Sequence, residues 1–150
     1  MSGEGRRWFP LIAERAGWLC ERCGCAGQSV HHRKKRSQGG GWSWENLVFV
    51  CGTGTTGCHG WIEHNPNDAE WEGFHVRPWQ QSAAIPVKYQ GEWALLLPDG
   101  GIQYESGNIP RGDQVQAQGQ ASRALRQTAR VRLYPARHPL FGRQPCTRVR

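Results

Sequence analysis

A chain of 150 residues with a net charge of +7 has room for one modest domain, and its thin supply of Leu, Ile, Val and Phe argues against a large apolar core. No apolar run is long enough to span a membrane, and Met1-Ser2-Gly3-Glu4 does not begin a charged-then-apolar leader, so a soluble, cytoplasmic protein is expected. Six cysteines and eight tryptophans are the unusual resource, and in a reducing compartment Cys20-x2-Cys23 reads as half a metal site rather than part of a disulfide framework.

From Trp8 to Leu19 the apolar residues Phe9, Ile12, Ala13, Ala16 and Leu19 recur every three or four positions, which predicts a short helix with Pro10 in its first turn. It leads into a knuckle, Cys20-Glu21-Arg22-Cys23-Gly24. Ser29 to His32 and Leu47 to Val50 read as two strands joined by a basic, glycine-rich loop that contains Gly39-Gly40-Gly41. A helix should open near Cys58 and run to about His64, with Asn65-Pro66 starting the next helix and Gly73 closing it. Ile85 to Tyr89, Glu92 to Leu97 and Ile102 to Glu105 are expected to form a small antiparallel meander with a turn at Pro98-Asp99-Gly100-Gly101. The fold class is therefore α+β.

From Ser106 onward Gly, Gln, Arg and Pro dominate, and the apolar spacing of Ala121 to Leu133 is too sparse to guarantee a packed helix. The positive charge is concentrated here. Residues 1–110 balance ten Lys/Arg against eleven Asp/Glu, whereas residues 111–150 carry nine Arg against Asp113 alone. A basic block of this kind suits a phosphate backbone through counterion release; a solvated tail with no dedicated partner is the alternative. The expected organisation is a metal-binding domain over 1–80 with zinc knuckles, an accessory meander over 81–105 and an Arg-rich flexible tail over 106–150.

Cys20, Cys23, Cys51 and Cys58 together supply the tetrahedral thiolate set that a structural Zn²⁺ prefers. Six Gly and Thr residues separate the second pair, a loop flexible enough to curl back. Cys25 competes for the first pair, and Cys146 is expected to be a free thiol. The chemistry rests on His31, His32, Asn46 and His59. Phosphodiester hydrolysis needs a nucleophilic water, a base to take its proton and positive charge for the transition state and leaving oxygen. Neighbouring histidines on a strand point to opposite faces, so at a strand end one can turn to a metal and the other to the water. An imidazole is mostly neutral at physiological pH, which suits a base. Asn46 is placed to orient it, His59 to enter from the helix as a ligand, and Glu63, four residues on, to reach the same ion from the same helical face.

Cys20-x2-Cys23, His31-His32-Arg33, Gly39-Gly40, Asn46-Leu47, Cys51 and Gly57-Cys58-His59-Gly60-Trp61-Ile62 together resemble the HNH endonucleases, in particular those of tailed phages and actinobacterial genomes. The resemblance covers about residues 18–80. It implies a small ββα-metal core, with His31 and His59 holding one catalytic divalent ion, His32 as general base and Asn46 as the orienting residue. It also implies products with 5′ phosphate and 3′ hydroxyl ends. Many members have a His where this chain has Glu63, which is followed by His64 and Asn65. A carboxylate there favours Mg²⁺ or Mn²⁺, while Zn²⁺ and Ni²⁺ stay open.

Beside such a site the run Arg33, Lys34, Lys35 and Arg36 is expected to hold DNA phosphates, with Arg33 nearest the scissile group. Trp42 and Trp44 either stack on bases or, the favoured reading, pack, and Trp18, Trp61 and Trp71 are core candidates. DNA is the implied partner, and a phage-type role near genome packaging extends this to packaging proteins such as the terminase. The alternatives are a non-catalytic, zinc-stabilised DNA-binding or packaging accessory module, and a sequence-selective nuclease of a restriction or homing system.

Overall fold

The computed structural model describes residues 2–105, so the Arg-rich tail, the segment Ala121 to Leu133 and Cys146 lie outside the described residues. The element order is α1 (Gly3–Arg15), β1 (Ser29–His32), β2 (Leu47–Val50), α2 (Gly57–His64), α3 (Pro66–Trp71), β3 (Val87–Tyr89), β4 (Glu92–Leu96) and β5 (Ile102–Tyr104). No helix among the described residues is long and apolar enough to cross a membrane.

The first helix begins earlier than its apolar spacing indicates. The Ser2 hydroxyl caps it by accepting from the Gly5 amide at 3.2 Å, and Glu4 occupies the first turn, so Pro10 falls in the helix interior. Proline there forgoes one main-chain bond. Packing compensates: Ile12 and Ala13 are fully buried against Leu47 and Phe49.

The β1–β2 hairpin is antiparallel, pairing Ser29 with Val50, His31 with Val48 and His32 with Leu47. Alternation divides its side chains between two layers. Val30, Leu47 and Phe49 meet α1, whereas Val48 and Val50 meet Cys58 and Ile62 of α2. Covered on both faces, all four β2 residues are buried. A buried ion pair ties the first layer down. The Arg15 guanidinium donates to both Glu21 carboxylate oxygens at 3.0 and 2.8 Å and to the Trp44 and Leu47 carbonyls, while Glu21 also accepts from the Phe49 amide.

The three-stranded antiparallel sheet β3-β4-β5 follows the predicted meander, each strand ending within two residues of its expected bounds. Its Val87, Tyr89, Ala94 and Leu96 lie in the same apolar cluster as Cys20, Val48, Cys58, Ile62 and Phe74. The sheet and the hairpin thus share one core. The tryptophans divide differently from expectation. Trp61 packs against that core and Trp42 and Trp44 against the α1 layer, but Trp18 and Trp71 are more than half exposed. Trp18 is lifted outward because it follows Gly17 in the left-handed region, at φ 63°, where the chain reverses out of α1. Trp71 sits on the outer face of a helix too short to bury both sides.

Candidate active site

Two groups of potential ligands lie side by side, one on each flank of the dipeptide Cys58-His59. The sulfur atoms of Cys20, Cys23, Cys51 and Cys58 all lie within 4.8 Å of one another. Each comes from a turn or a helix start. Cys20 and Cys23 flank a knuckle closed by Gly24, at φ 78°, whose amide donates to the Cys20 carbonyl; Cys51 ends the hairpin and Cys58 opens α2. Cys25, whose carbonyl accepts from the Cys20 amide, is outside the sulfur cluster.

The sulfurs are hydrogen-bonded into one charge-sharing unit. The Cys51 and Cys58 thiols pull the Cys20 pKa down to about 2, and that shared negative charge in turn pushes Cys51 up to about 12 and Cys58 higher still. The Cys58 amide donates to Cys51 Sγ at 3.3 Å and Arg22 Nη1 to Cys58 Sγ at 3.7 Å. Four converging sulfurs that share charge through hydrogen bonds fit a dication, whose charge would permit the thiols to ionise. The cluster is suited to a structural metal. Arg22 also stacks 3.5 Å over the Trp61 ring and pairs with Glu72 at 2.8 Å, linking the knuckle to α2 and to the end of α3.

The second group is His31, His59 and Glu63, each offering one ligand atom within 4.8 Å of the others. His31 projects from β1 toward α2, and His59 and Glu63 stand one helical turn apart on α2. The rings of His31 and His59 meet edge to face at 5.2 Å. His31 is almost fully buried, and burial first, then the neighbouring His59 and His75, lowers its pKa to about 3. It is therefore neutral, the form a metal takes, so the 3.4 Å approach of its Nδ1 to Glu63 Oε1 is not an ion pair and brings together two atoms that could both face one ion. His31 Nε2 donates to the Phe74 carbonyl at 3.2 Å, leaving Nδ1 with the free lone pair. His59 Nδ1 lies 2.7 Å from Ser29 Oγ. The second Glu63 oxygen pairs with Lys35 Nζ at 3.1 Å, on the exposed side. Two neutral imidazoles and a carboxylate, open to solvent along one edge, fit a divalent ion with room for further ligands.

The HNH endonuclease family model matches residues 20–60, a span that takes in the four cysteines, His31, His32, Asn46 and His59. That stretch is similar to the HNH endonuclease family, and the likeness supports a nuclease-type function in general terms. No curated protein and no solved structure gives a significant match to the chain.

Within the HNH-like domain the remaining expected residues occupy distinct places. His32 is on the opposite face of β1 from His31, its ring 4.5 Å from that of Trp42 and its Nε2 buried with no partner. Burial, then Arg36, lowers its pKa. Asn46 does not touch an imidazole. Its amide binds main chain and one hydroxyl: Oδ1 accepts from the Lys34 amide at 2.7 Å and from Ser82 Oγ, and Nδ2 donates to the Lys34 and Gly41 carbonyls. It fixes the path of the chain as it leaves β1, immediately after the two histidines.

Arg33, expected beside the scissile phosphate, is instead fully buried. Its guanidinium donates to the Gly73, Glu45, Ser82 and Ile85 carbonyls at 2.7, 2.9, 3.2 and 2.6 Å, so four of its five N–H donors are spent on main chain and the group is buried away from any phosphate. Burial lowers its pKa to about 9, still cationic at neutral pH. Lys34 and Lys35 are half-buried and Arg36 is exposed, and these three form the rim.

Two residues at the site had no motif to mark them. His75 stacks on His31 with ring centres 5.7 Å apart and planes at 23°, and its Nε2 is buried without a partner. A lone histidine after a helix carries no sequence signal. Ser29 did have one: two residues before His31 on a strand, it shares that face.

Proposed function

We propose that this chain is a metal-dependent DNA endonuclease of the phage type, hydrolysing phosphodiester bonds with one divalent ion, Mg²⁺ or Mn²⁺ before Zn²⁺ or Ni²⁺, next to a structural Zn²⁺ on Cys20, Cys23, Cys51 and Cys58. The observation that carries this reading is the convergence of His31, His59 and Glu63 on one position, separate from a complete four-cysteine cluster. A pure binding module has use for the cysteine cluster alone.

When bound, the ion supplies positive charge to the scissile phosphate and the departing 3′ oxygen. His31 and His59 present neutral nitrogens to it, and Glu63 lowers the site's net charge. His32 accepts the proton of the attacking water at its Nε2. In-line displacement needs nucleophile and leaving group on opposite sides of phosphorus. Because His32 Nε2 is buried against Trp42, the ring of Trp42, which follows Gly39-Gly40-Gly41, has to move aside for the proton to be passed. Asn46 acts through the main chain, holding the exit of β1. Lys34, Lys35 and Arg36 steer and hold backbone phosphates. A role near genome packaging, with packaging proteins such as the terminase as partners, rests on the resemblance to phage members.

The test is cleavage of supercoiled plasmid with Mg²⁺, Mn²⁺, Zn²⁺, Ni²⁺ or EDTA, run beside His32→Ala. Metal-dependent nicking or linearisation that falls about 10²–10⁴-fold in the variant, with DNA binding and zinc content intact, is the expected result. DNA binding without cleavage in any metal would identify an accessory module instead, and an unaffected variant would remove His32 from the base role.

A further inference from the structure

We propose that Ser29 is a positioning residue that holds His59 in its Nδ1–H tautomer, using the Gly52 carbonyl of the cysteine loop as anchor, so that Nε2 is kept as the metal-binding nitrogen. The inference rests on the reading of His31, His59 and Glu63 as an ion site, and adds to it a link between the two clusters.

The argument is a count of one proton. Ser29 Oγ donates to the Gly52 carbonyl at 2.7 Å and lies 2.7 Å from His59 Nδ1. A hydroxyl has a single hydrogen, and a carbonyl can only accept. With that hydrogen committed to Gly52, Ser29 meets His59 through a lone pair, and the imidazole must be the donor. Nδ1 then carries the proton and Nε2 the free pair. His31 is set by the same logic in mirror image: its Nε2 donates to the Phe74 carbonyl, leaving Nδ1 toward Glu63. Each ligand imidazole is thus fixed by an acceptor behind it.

The anchor itself is rigid. Gly52 sits at φ 79°, and a Cβ there would stand 2.1 Å from the Thr56 carbonyl oxygen, so the loop is folded tightly on itself. Gly52 follows Cys51, whose carbonyl accepts from the His59 amide at 3.1 Å, and Cys58 directly precedes His59. The loop between the second pair of cysteines therefore holds both the main chain and the ring of the neighbouring ligand. Ser29 reaches it because β1 pairs Ser29 with Val50, one residue before Cys51.

The experiment uses full-length protein carrying zinc, as wild type, Ser29→Ala and Ser29→Thr. Mn²⁺ binding is followed by electron paramagnetic resonance, and the His59 tautomer by ¹⁵N NMR of the imidazole before Mn²⁺ is added. Ser29→Ala should weaken Mn²⁺ binding about 10–100-fold while zinc content stays at the wild-type level, and Ser29→Thr, which keeps the hydroxyl, should restore it. The wild-type spectrum should show His59 protonated at Nδ1, and Ser29→Ala should show a mixture. Unchanged Mn²⁺ affinity in Ser29→Ala, or an Nε2–H His59 in the wild type, would overturn the proposal. If Ser29→Ala fails to fold, the wild-type tautomer still decides it. Failure of the ion-site reading looks different: wild type and His59→Ala would then bind Mn²⁺ equally poorly, whatever the tautomer.

Discussion

The two ligand clusters share the dipeptide Cys58-His59, yet they are built to opposite specifications. The cysteine cluster is closed, with four ligands of one kind, a backbone amide and Arg22 directed at its sulfurs, and walls supplied by the main apolar core. The His31, His59 and Glu63 group has three ligands of two kinds, one edge in solvent, and Lys35 on its carboxylate. Four protein ligands leave an ion nothing to do except hold the chain; three leave positions for water and phosphate. On the proposed reading, ligand number and closure would separate a fold-holding ion from a reacting one at two sequence-adjacent residues.

That contrast can be broken most forcefully at the closed end. Cys23→Ser should remove the structural ion and with it on the order of 10 kcal/mol of folding free energy, seen as loss of the thermal transition by circular dichroism together with lost zinc. A folded, zinc-free, active variant would abolish the distinction. Arg33→Met tests the frame around the open site. It leaves four carbonyls without their donor and should destabilise by roughly 3–5 kcal/mol in urea unfolding, with the metal sites chemically intact. A variant of wild-type stability that binds DNA less well would return Arg33 to the phosphate-binding surface. His59→Ala sharpens the comparison from the other side. The protein should fold and keep its zinc, as measured by atomic emission, but lose second-site Mn²⁺ binding and metal-dependent plasmid cleavage; concurrent loss of zinc would mean the clusters are one unit. The smallest effect is expected of Lys35→Ala. One fewer phosphate contact should weaken DNA binding a few-fold and reduce the salt-dependence slope by about 0.9, read from binding isotherms across salt concentrations.

The hairpin, α2 and the meander were legible because their signals are local: alternation, a helix opening at Cys58, and turn residues between short apolar runs. The four cysteines and the His31, His59 and Glu63 set were legible from spacing, since Glu63 lies one turn beyond His59. Local signals misled where a cap and a proline competed. Pro10 suggested a helix start, but Ser2 already provided one. Arg33 was unreadable for a different reason. A charge run looks solvated, and only accepting carbonyls, most of them on residues far along the chain, turn one of its members inward. Asn46 and His75 share this dependence on distant partners, and the exposure of Trp18 follows from a backbone reversal that composition does not encode.

The buried guanidinium of Arg33 has an engineering consequence. It arises inside the stretch that matches the family, but three of the four carbonyls that satisfy it belong to Gly73, Ser82 and Ile85, and the hairpin's other face is sealed by α1. The nuclease motif is therefore not a portable cassette. Excised as residues 20–60 and grafted into another scaffold, it would carry a naked cation and an uncovered apolar sheet face with it; the smallest unit worth transplanting runs from Ser2 through the end of β5.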